Sequence, residues 1–466
     1  MTVVVLLAAG RGVRMRSERP KVLHEAAGRP LLDRALDTAV AIAGSAAQVV
    51  VVVSKEGDAV AQHVKGAYPP VRITQQDPPR GTGDAVRVAV PAFGKASRVV
   101  VLSGDVPLLS ADTVKGLVEA LRADRKAAVA VLTAKVANPT GYGRIVRDRK
   151  GAFVRIVEEK DSSSEEKEIG EINAGTYAFD RAFLEESLPL LTSKNSQNEF
   201  YLPDTLLLAR KAGRHALLVE GDALAALGVN SRADLAAVEA ILRNRKASEA
   251  MQAGTTILRP ETVTLDDTVT LEADTVLEPF VTLLGKTRVG GGTVIGQGTV
   301  ARDTVFGKNV AVKPYCVIES AIVGDGVVVG PFARLREGTD LAEGVHIGNF
   351  VETKKAVLKK GVKANHLTYL GDTEIGERTN VGAGVITCNY DGFLKNRTTI
   401  GRDVFVGSDV QLIAPVTIGD GAIVAAGTTV TEEVPKDALA LSRVPQKNVP
   451  DGGARYREKK SAGKKA

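Results

Sequence analysis

Cysteine is almost missing: Cys316 and Cys388 are the only two in 466 residues, and no CxxC occurs. That excludes a disulfide scaffold and a cysteine zinc cluster, and it suits a reducing compartment. Tryptophan is absent and aromatic residues make up 4%, so any core must be aliphatic. No apolar run approaches the roughly 20 residues that span a bilayer. The apolar start at residues 3–9 has no basic segment before it and reads as a buried strand, not a signal peptide. A cytoplasmic location is the expectation. Net charge is also modest. Of the formal +6, the last sixteen residues carry +4, with Arg455, Arg457, Lys459, Lys460, Lys464 and Lys465 against Asp451 and Glu458. The body is nearly neutral, so no nucleic-acid or membrane partner is expected, and residues 451–466 read as a solvated, disordered basic tail.

What the chain does have is 47 glycines and two unlike patterns. Within residues 1–230, β-branched runs at 2–8, 49–53, 72–75, 98–103 and 128–133 lack polar alternation, as strands buried on both faces do. Between them, residues 30–43, 83–90 and 111–123 carry apolar side chains at i, i+3 and i+4. This alternation predicts an α/β domain with a Rossmann-like, mostly parallel sheet and ligands at the carboxyl ends of its strands. Residues 231–253 read as a helical linker, with Leu235, Val238, Ile241 and Leu242 along it.

From 254 to 450 the period becomes six. Leu265, Leu271, Leu277, Leu283, Val289 and Ile295 keep it, as do Ile400, Val406, Leu412, Ile418, Val424 and Val430. Four residues after the first set come Val269, Thr275, Val281, Thr287, Thr293 and Thr299, all β-branched. On a helix, six steps of 100° would scatter these residues over three faces. Six is instead a multiple of the strand period, and pairs such as Asp325-Gly326 and Asp420-Gly421 supply corners. The pattern is that of a parallel β-helix of hexapeptide repeats, about ten coils stacked roughly 4.8 Å apart. Interruptions are expected at 333–345 and 387–399. Loops on a rigid scaffold carry chemistry.

Three local motifs point to that chemistry. Leu7-Ala8-Ala9-Gly10-Arg11-Gly12 follows the first strand, but Met15 stands where a dinucleotide fingerprint needs its third glycine. Backbone N–H groups there, with Arg11 and Lys21, suit phosphates; the bland alternative is a plain βα turn. Ser103-Gly104-Asp105 ends another buried strand, where a carboxylate facing phosphates is a natural Mg²⁺ ligand, although a turn Asp also serves local hydrogen bonds. His366 lies in a polar part of the repeat near Lys354 and Lys363. Imidazole suits general-base work, yet a lone His is more often a surface residue, and the lysines alone would read as a solvated face.

The ordered motifs LAAGRGVRM…PK, QQDPPRGTGDA, SGD, TGYGRI, EINAGTY and GVNSR resemble sugar-1-phosphate nucleotidyltransferases. GPFARLREG, HIGNFVETKKA, NHLTYLGD, NVGAG, TCNYDG, VFVGSD, AAGTTVT and SRVPQ resemble a hexapeptide acetyltransferase. Over essentially residues 3–450 the chain is similar to the bacterial family of bifunctional UDP-N-acetylglucosamine pyrophosphorylases and glucosamine-1-phosphate N-acetyltransferases. That resemblance implies a left-handed coil, a homotrimer, and small-molecule substrates: UTP, acetyl-CoA, glucosamine-1-phosphate and N-acetylglucosamine-1-phosphate. It implies that Leu7, Ala8, Ala9, Gly10, Lys21, Ser103 and Gly104 bind the nucleotide, with Gln76, Gly81 and Thr82 reading uracil. Asp105 and Asn230 would hold Mg²⁺, and Gly143, Glu158 and Asn173 the N-acetylglucosamine. In the second half it implies His366 as the base that deprotonates the sugar amine. Arg336, Lys354, Tyr369 and Asn380 would bind the sugar phosphate, and Asn389, Tyr390, Ser408, Ala426 and Arg443 the acetyl-CoA. The product would feed peptidoglycan and lipopolysaccharide precursors. Two positions depart from the family: Asp84, where a His is more usual, and Asn365, where a glycine often precedes the histidine. The alternatives are a nucleotidyltransferase whose coil only oligomerises or regulates, and a non-catalytic scaffold. His366 and the interruptions weigh against the first; Lys21, Asp105 and Asn230 weigh against the second.

Overall fold

The computed structural model describes residues 1–10, 12–54, 58–442 and 444–462, with the side chain of Asp58 left aside. Arg11 and Arg443 therefore lie outside the described residues. The chain divides into two compact units, Met1–Lys246 and Ala247–Ala466. Their boundary falls inside the helix Arg232–Gln252, which the sequence suggested as a linker. Val238 and Leu242 of this helix pack with Met15, Leu31 and Val229 of the first unit, whereas Ala247 and Ala250 join the core of the second.

The first unit contains β1 (Thr2–Leu7), β2 (Glu25–Ala26), β3 (Arg29–Pro30), β4 (Val49–Ser54), β5 (Arg72–Gln76), β6 (Arg98–Ser103), β7 (Ala127–Lys135), β8 (Arg144–Arg147), β9 (Phe153–Val157), β10 (Glu171–Asp180) and β11 (His215–Glu220). Among its helices are α1 (Leu31–Ala43), α2 (Asp58–Ala67), α3 (Thr82–Ala89) and α4 (Ala111–Ala123). The main sheet runs β11-β7-β10-β6-β1-β4-β5, with the hairpin β8-β9 joined to β10. Its valine runs are explained by cover on both faces. Val4, Leu6, Val49 and Val51 pack with Leu32, Leu36 and Leu117 of α1 and α4, while Val3, Val5, Val50 and Val52 pack with Val86 and Ala89 of α3.

Strands β6, β1, β4 and β5 are parallel. One antiparallel strand, β10, lies between β6 and β7. The chain winds outward from β1 through β4 and β5, then returns to place β6 on the other side of β1. That reversal is a topological switch point, where loops from β1 and β6 part and leave a crevice. Leu7 and Ser103, the last residues of the two strands, are register partners there.

The second unit is a parallel β-helix. Short strands pair with the third strand onward, so three make a coil. The 13-residue strands His346–Leu358 and Lys363–Ile375 each turn a whole coil. Ten coils stack among the described residues. Leu265 pairs with Leu283, Leu271 with Val289 and Leu277 with Ile295, which is the six-residue period counted three times. Inward threonines such as Thr275 and Thr293 satisfy their own hydroxyls: Thr275 Oγ1 donates to Glu272 O at 2.8 Å, and Thr293 Oγ1 to Gly307 O at 2.8 Å.

The two expected interruptions fare differently. Residues 333–345 hold no loop: the inward Leu335, Leu341 and Ile347 keep the six-residue spacing, and Ile322 pairs with Asp340 the regular 18 residues on. The short hexads lie upstream, where the inward residues Ala301 and Phe306, and Ile318 and Val323, stand five apart, so the phase of the six-fold pattern shifts before 333 while the corners absorb the missing residue. The second interruption is an insertion. Tyr369 pairs with Ile386, 17 residues on, but Glu374 pairs with Thr399, 25 residues on. The tail expected to be disordered instead forms the helix Gly452–Ala462, without buried residues. Its Ala, Arg, Glu and Lys content favours a helix locally even where nothing packs on it.

Candidate active sites

A cleft of about 650 Å³ opens at the switch point of the first unit. Leu7, Ala8, Ala9 and Gly10 from the end of β1, Lys21, Gln76 from β5, Gly81 and Thr82 at the start of α3, and Ser103 and Asp105 after β6 all line it. An adjoining recess of about 190 Å³ shares Leu7, Thr82, Ser103 and Asp105 and adds Gly143, Glu158, Asn173 and Asn230. Residues separated by more than two hundred positions thus meet at one strand-end junction. Gly104 serves differently. Its N–H donates to Leu7 O at 2.9 Å, and a Cβ there would stand 3.2 Å from that oxygen, so it permits the close approach of two backbones.

Lys21 stands on a single 3-10 turn, Lys21–Leu23, and its ammonium is the hub of the cleft. Nζ contacts Asp105 Oδ2 and lies 3.1 Å from Asn230 Oδ1. Lys21 and Asp105 are largely shielded from water. A carboxylate and an amide oxygen converging on one cation form a hard-oxygen notch. Among the described residues no three His, Cys, Asp or Glu side chains gather into a metal cage. Such a notch fits Mg²⁺, which keeps waters and substrate phosphates in its shell and needs only one or two protein oxygens.

In the recess, Asn173 Nδ2 donates to Tyr177 Oη at 2.6 Å, and the Gly175 N–H donates to Asn173 Oδ1 at 3.0 Å. Glu158 is half-buried beside Gly143. Burial pushes its carboxyl up to about 7, helped by the carboxylates of Asp204, Asp161 and Glu199 and opposed by Arg144. Burial likewise raises the Tyr177 and Tyr142 hydroxyls. Tyr142 accepts from the Gly228 N–H at 3.0 Å, bracing one wall of the recess. Tyr142, Tyr177 and Glu199 line these cavities, yet sequence reasoning did not single them out. The first two lie inside the TGYGRI and EINAGTY motifs, so the segments were marked and only the bracing roles were hidden.

In the coil, the candidate residues distribute over one face and its two edges. Ala364, Val381, Val406 and Val424 stack in register. The residues two positions later, His366, Ala383, Ser408 and Ala426, therefore occupy equivalent places along one edge. His366 is exposed, as are Ser408 and Ala426. On the preceding coils the same edge carries Tyr315, Phe332 and Phe350, stacked with centroids 5.5 Å apart. Small side chains follow the histidine along its row, and the aromatic ladder runs in the neighbouring row, since Asn349 and not Phe350 pairs with His366.

Tyr369 lies within the adjacent face, paired with Glu352. Arg336 and Lys354 stand at its far edge, where the Arg336 N–H donates to Thr353 O. Arg336 Nη1 meets Glu352 Oε1 at 3.0 Å, and Lys354 Nζ lies 3.6 Å from Glu337 Oε1. Those two glutamates were not anticipated. Asn389 is buried and donates to Asp372 Oδ2, and Tyr390 begins the inserted loop, its hydroxyl donating to Gly392 O at 2.6 Å. Asn380 pairs with Lys363 on the face before the His366 edge, on the opposite side from Arg336.

A doubly wound domain with a phosphate-sized cleft at its switch point, followed by a hexapeptide coil, defines a two-part transferase. Residues 4–165 match the MobA-like NTP transferase domain, and residues 397–432 match the bacterial transferase hexapeptide, six repeats. The chain is 47% identical to the bifunctional protein GlmU of Sorangium cellulosum, over 95% of this chain and 94% of that protein. It is 44% identical to the protein of the same name from Geotalea uraniireducens, over 95% and 97%, and 46% identical to that of Trichlorobacter lovleyi, over 96% and 97%. The chain belongs to the bifunctional GlmU family: it is an enzyme with a nucleotidyltransferase half and a hexapeptide acetyltransferase half.

Proposed function

We propose that the enzyme makes UDP-N-acetylglucosamine in two steps, acetylating glucosamine-1-phosphate in the coil and then uridylylating N-acetylglucosamine-1-phosphate in the cleft. The observation that carries the second step is the convergence of Lys21, Asp105 and Asn230 at the mouth of the switch point. A phosphate oxygen of the sugar attacks the α-phosphorus of UTP, and pyrophosphate leaves from the opposite side. Two anions must be brought together, so positioning and positive charge do most of the catalysis. Lys21 supplies charge, and the backbone amides at residues 8–10 cradle phosphate. Asn173 and Glu158 hold the sugar in the recess, and Gln76 with Gly81 and Thr82 reads the base. Mg²⁺, held by Asp105 and Asn230, would neutralise charge across the phosphates.

In the coil, His366 takes a proton from the sugar amine, which attacks the thioester carbonyl of acetyl-CoA; the thiol of coenzyme A leaves. Arg336 and Lys354 hold the sugar phosphate as a dianion, displacing the hold of Glu337 and Glu352 on them. Tyr369, Asn380, Asn389 and Tyr390 complete the contacts around sugar and cofactor. The small residues along the His366 edge, Ser408 and Ala426 among them, leave room for the extended pantetheine arm. The exposed aromatic ladder on the same edge supports assembly of coils through this edge, as a homotrimer. Among the described residues no helix is long and apolar enough to cross a membrane, and the co-substrates UTP and acetyl-CoA are cytoplasmic metabolites, which supports that location. Incubation with glucosamine-1-phosphate, acetyl-CoA, UTP and Mg²⁺, following free thiol and pyrophosphate separately, tests the pair. Pyrophosphate release without thiol release would leave a nucleotidyltransferase with a structural coil.

A further inference from the structure

Gln76 is buried to all but 3% and borders the cleft. Its amide nitrogen has two hydrogens, and both are taken within the protein. Nε2 donates to Gly81 O at 2.9 Å and to Asp84 Oδ2 at 3.0 Å. Turned over, the amide would set Oε1 against a carbonyl and a carboxylate, two acceptors with no proton between them. The orientation is thereby fixed, and Oε1 is the atom left for a ligand.

Asp84 is itself buried and does not line the cleft. Its carboxylate is held from the far side: Arg80 Nη2 approaches Oδ1 at 3.0 Å, and Arg87 Nη1 approaches the same oxygen at 3.5 Å. Arg87 is anchored in turn, its Nη2 donating to Leu188 O at 2.9 Å and its guanidinium 4.6 Å from the centre of the Phe200 ring. The carboxylate therefore cannot swing away from Gln76 without leaving two cations. A carboxylate only accepts, whereas a histidine at this place could either donate or accept.

We infer that Asp84 is a specificity-determining positioning residue: it holds Gln76 as a pure acceptor and so selects a pyrimidine with a ring N3–H, uracil, over cytosine, whose N3 is an acceptor. This rests on the reading of the cleft as a uridine site. A site built around one hydrogen-bond sense discriminates strongly, because the wrong base leaves buried polar atoms opposed.

The test compares kcat/KM for UTP and CTP in pyrophosphate formation, for the unmodified enzyme, Asp84→Asn and Asp84→Ser, with thermal unfolding run alongside. An amide or hydroxyl at position 84 can donate, which lets Gln76 turn over. The UTP:CTP ratio should fall by about tenfold in each folded variant, a change that a purely structural role would not produce. An unchanged ratio in a folded variant overturns the inference. If the unmodified enzyme does not prefer UTP, the uridine reading fails first, and the two failures are told apart. Uridine triphosphate methylated at N3, given to the unmodified enzyme, covers the case in which neither variant folds. Rejection of it is expected, and use of it at the rate of UTP overturns the fixed acceptor.

Discussion

The two halves of this chain solve the problem of placing side chains in opposite ways. In the nucleotidyltransferase unit, Leu7, Gln76, Asp105, Glu158, Asn173 and Asn230 come from six separate segments and meet only because a strand order reverses. In the coil, His366, Ser408 and Ala426 share one edge because each follows a buried strand residue by the same two positions. The first arrangement tolerates loop variation but depends on long-range pairing. The second is set by counting along each strand, while the corners absorb a missing residue or an insertion without loss of register, as at the five-residue step from Ile318 to Val323 and at the loop before Thr398.

The sharpest way to test that contrast is to remove one side chain from each half. His366→Ala should lower thiol release by about 10²–10⁴-fold, the usual worth of a positioned general base, while pyrophosphate formation from N-acetylglucosamine-1-phosphate and UTP is unchanged. Both rates falling together in a folded variant would show that the halves do not work independently. Asp105→Asn should do the converse, lowering pyrophosphate release by about 10²–10³-fold and sparing thiol release. Asparagine keeps the shape of the notch but removes the charge that faces the Lys21 ammonium.

This difference also governs what the sequence makes legible. The coil declares itself through a repeat, and its inward residues Leu265, Leu277, Leu283 and Ile295 are all buried as the period requires. The valine runs of β1, β4 and β6 are equally plain. What stays hidden is whatever depends on one residue more or less, such as the five-residue hexads at 301–306 and 318–323 that put 333–345 out of phase, and whatever depends on partners distant in sequence. Nothing around β10 announces that it runs antiparallel between β6 and β7. The cation hub required Lys21, Asp105 and Asn230 to be brought together by the fold, whereas motif resemblance marked each of them separately. The opposing carboxylates at Arg336 and Lys354 were invisible for the same reason.

A backbone substitution probes the counting mechanism directly. At Gly348 an added Cβ would stand 1.8 Å from Asn365 O on the next coil, and Asn365 immediately precedes His366. Gly348→Ala must push the two coils apart there. A destabilisation of about 3 kcal/mol is expected, in the range of overpacked cores, read by denaturant unfolding. Thiol release should fall with it, and pyrophosphate release should not. A variant with normal unfolding and normal thiol release would mean that the coil spacing is softer than a stacked register allows.

The smallest effect tests the other arrangement, through a group whose ionisation is set by many segments at once. Glu158 is pushed up to about 7, first by burial and then by Asp204, Asp161 and Glu199, against an ordinary value near 4.5. Between these two values the folded protein holds a proton that the unfolded chain has released, so stability falls as pH rises through that window and levels off above it. Glu158→Gln should flatten this part of the pH dependence of the unfolding midpoint. Sugar binding has the opposite sign. An ionised carboxylate accepts more strongly from sugar hydroxyls, so KM for N-acetylglucosamine-1-phosphate should drop a few-fold as pH rises through 7. The same variant should lose that drop, and its retention would assign the titration to another group. Because three neighbouring carboxylates, Asp204, Asp161 and Glu199, add to this ionisation, a change at Asp204 alone should also shift the profile to lower pH. No single neighbour in the coil should exert comparable control over a residue three segments away.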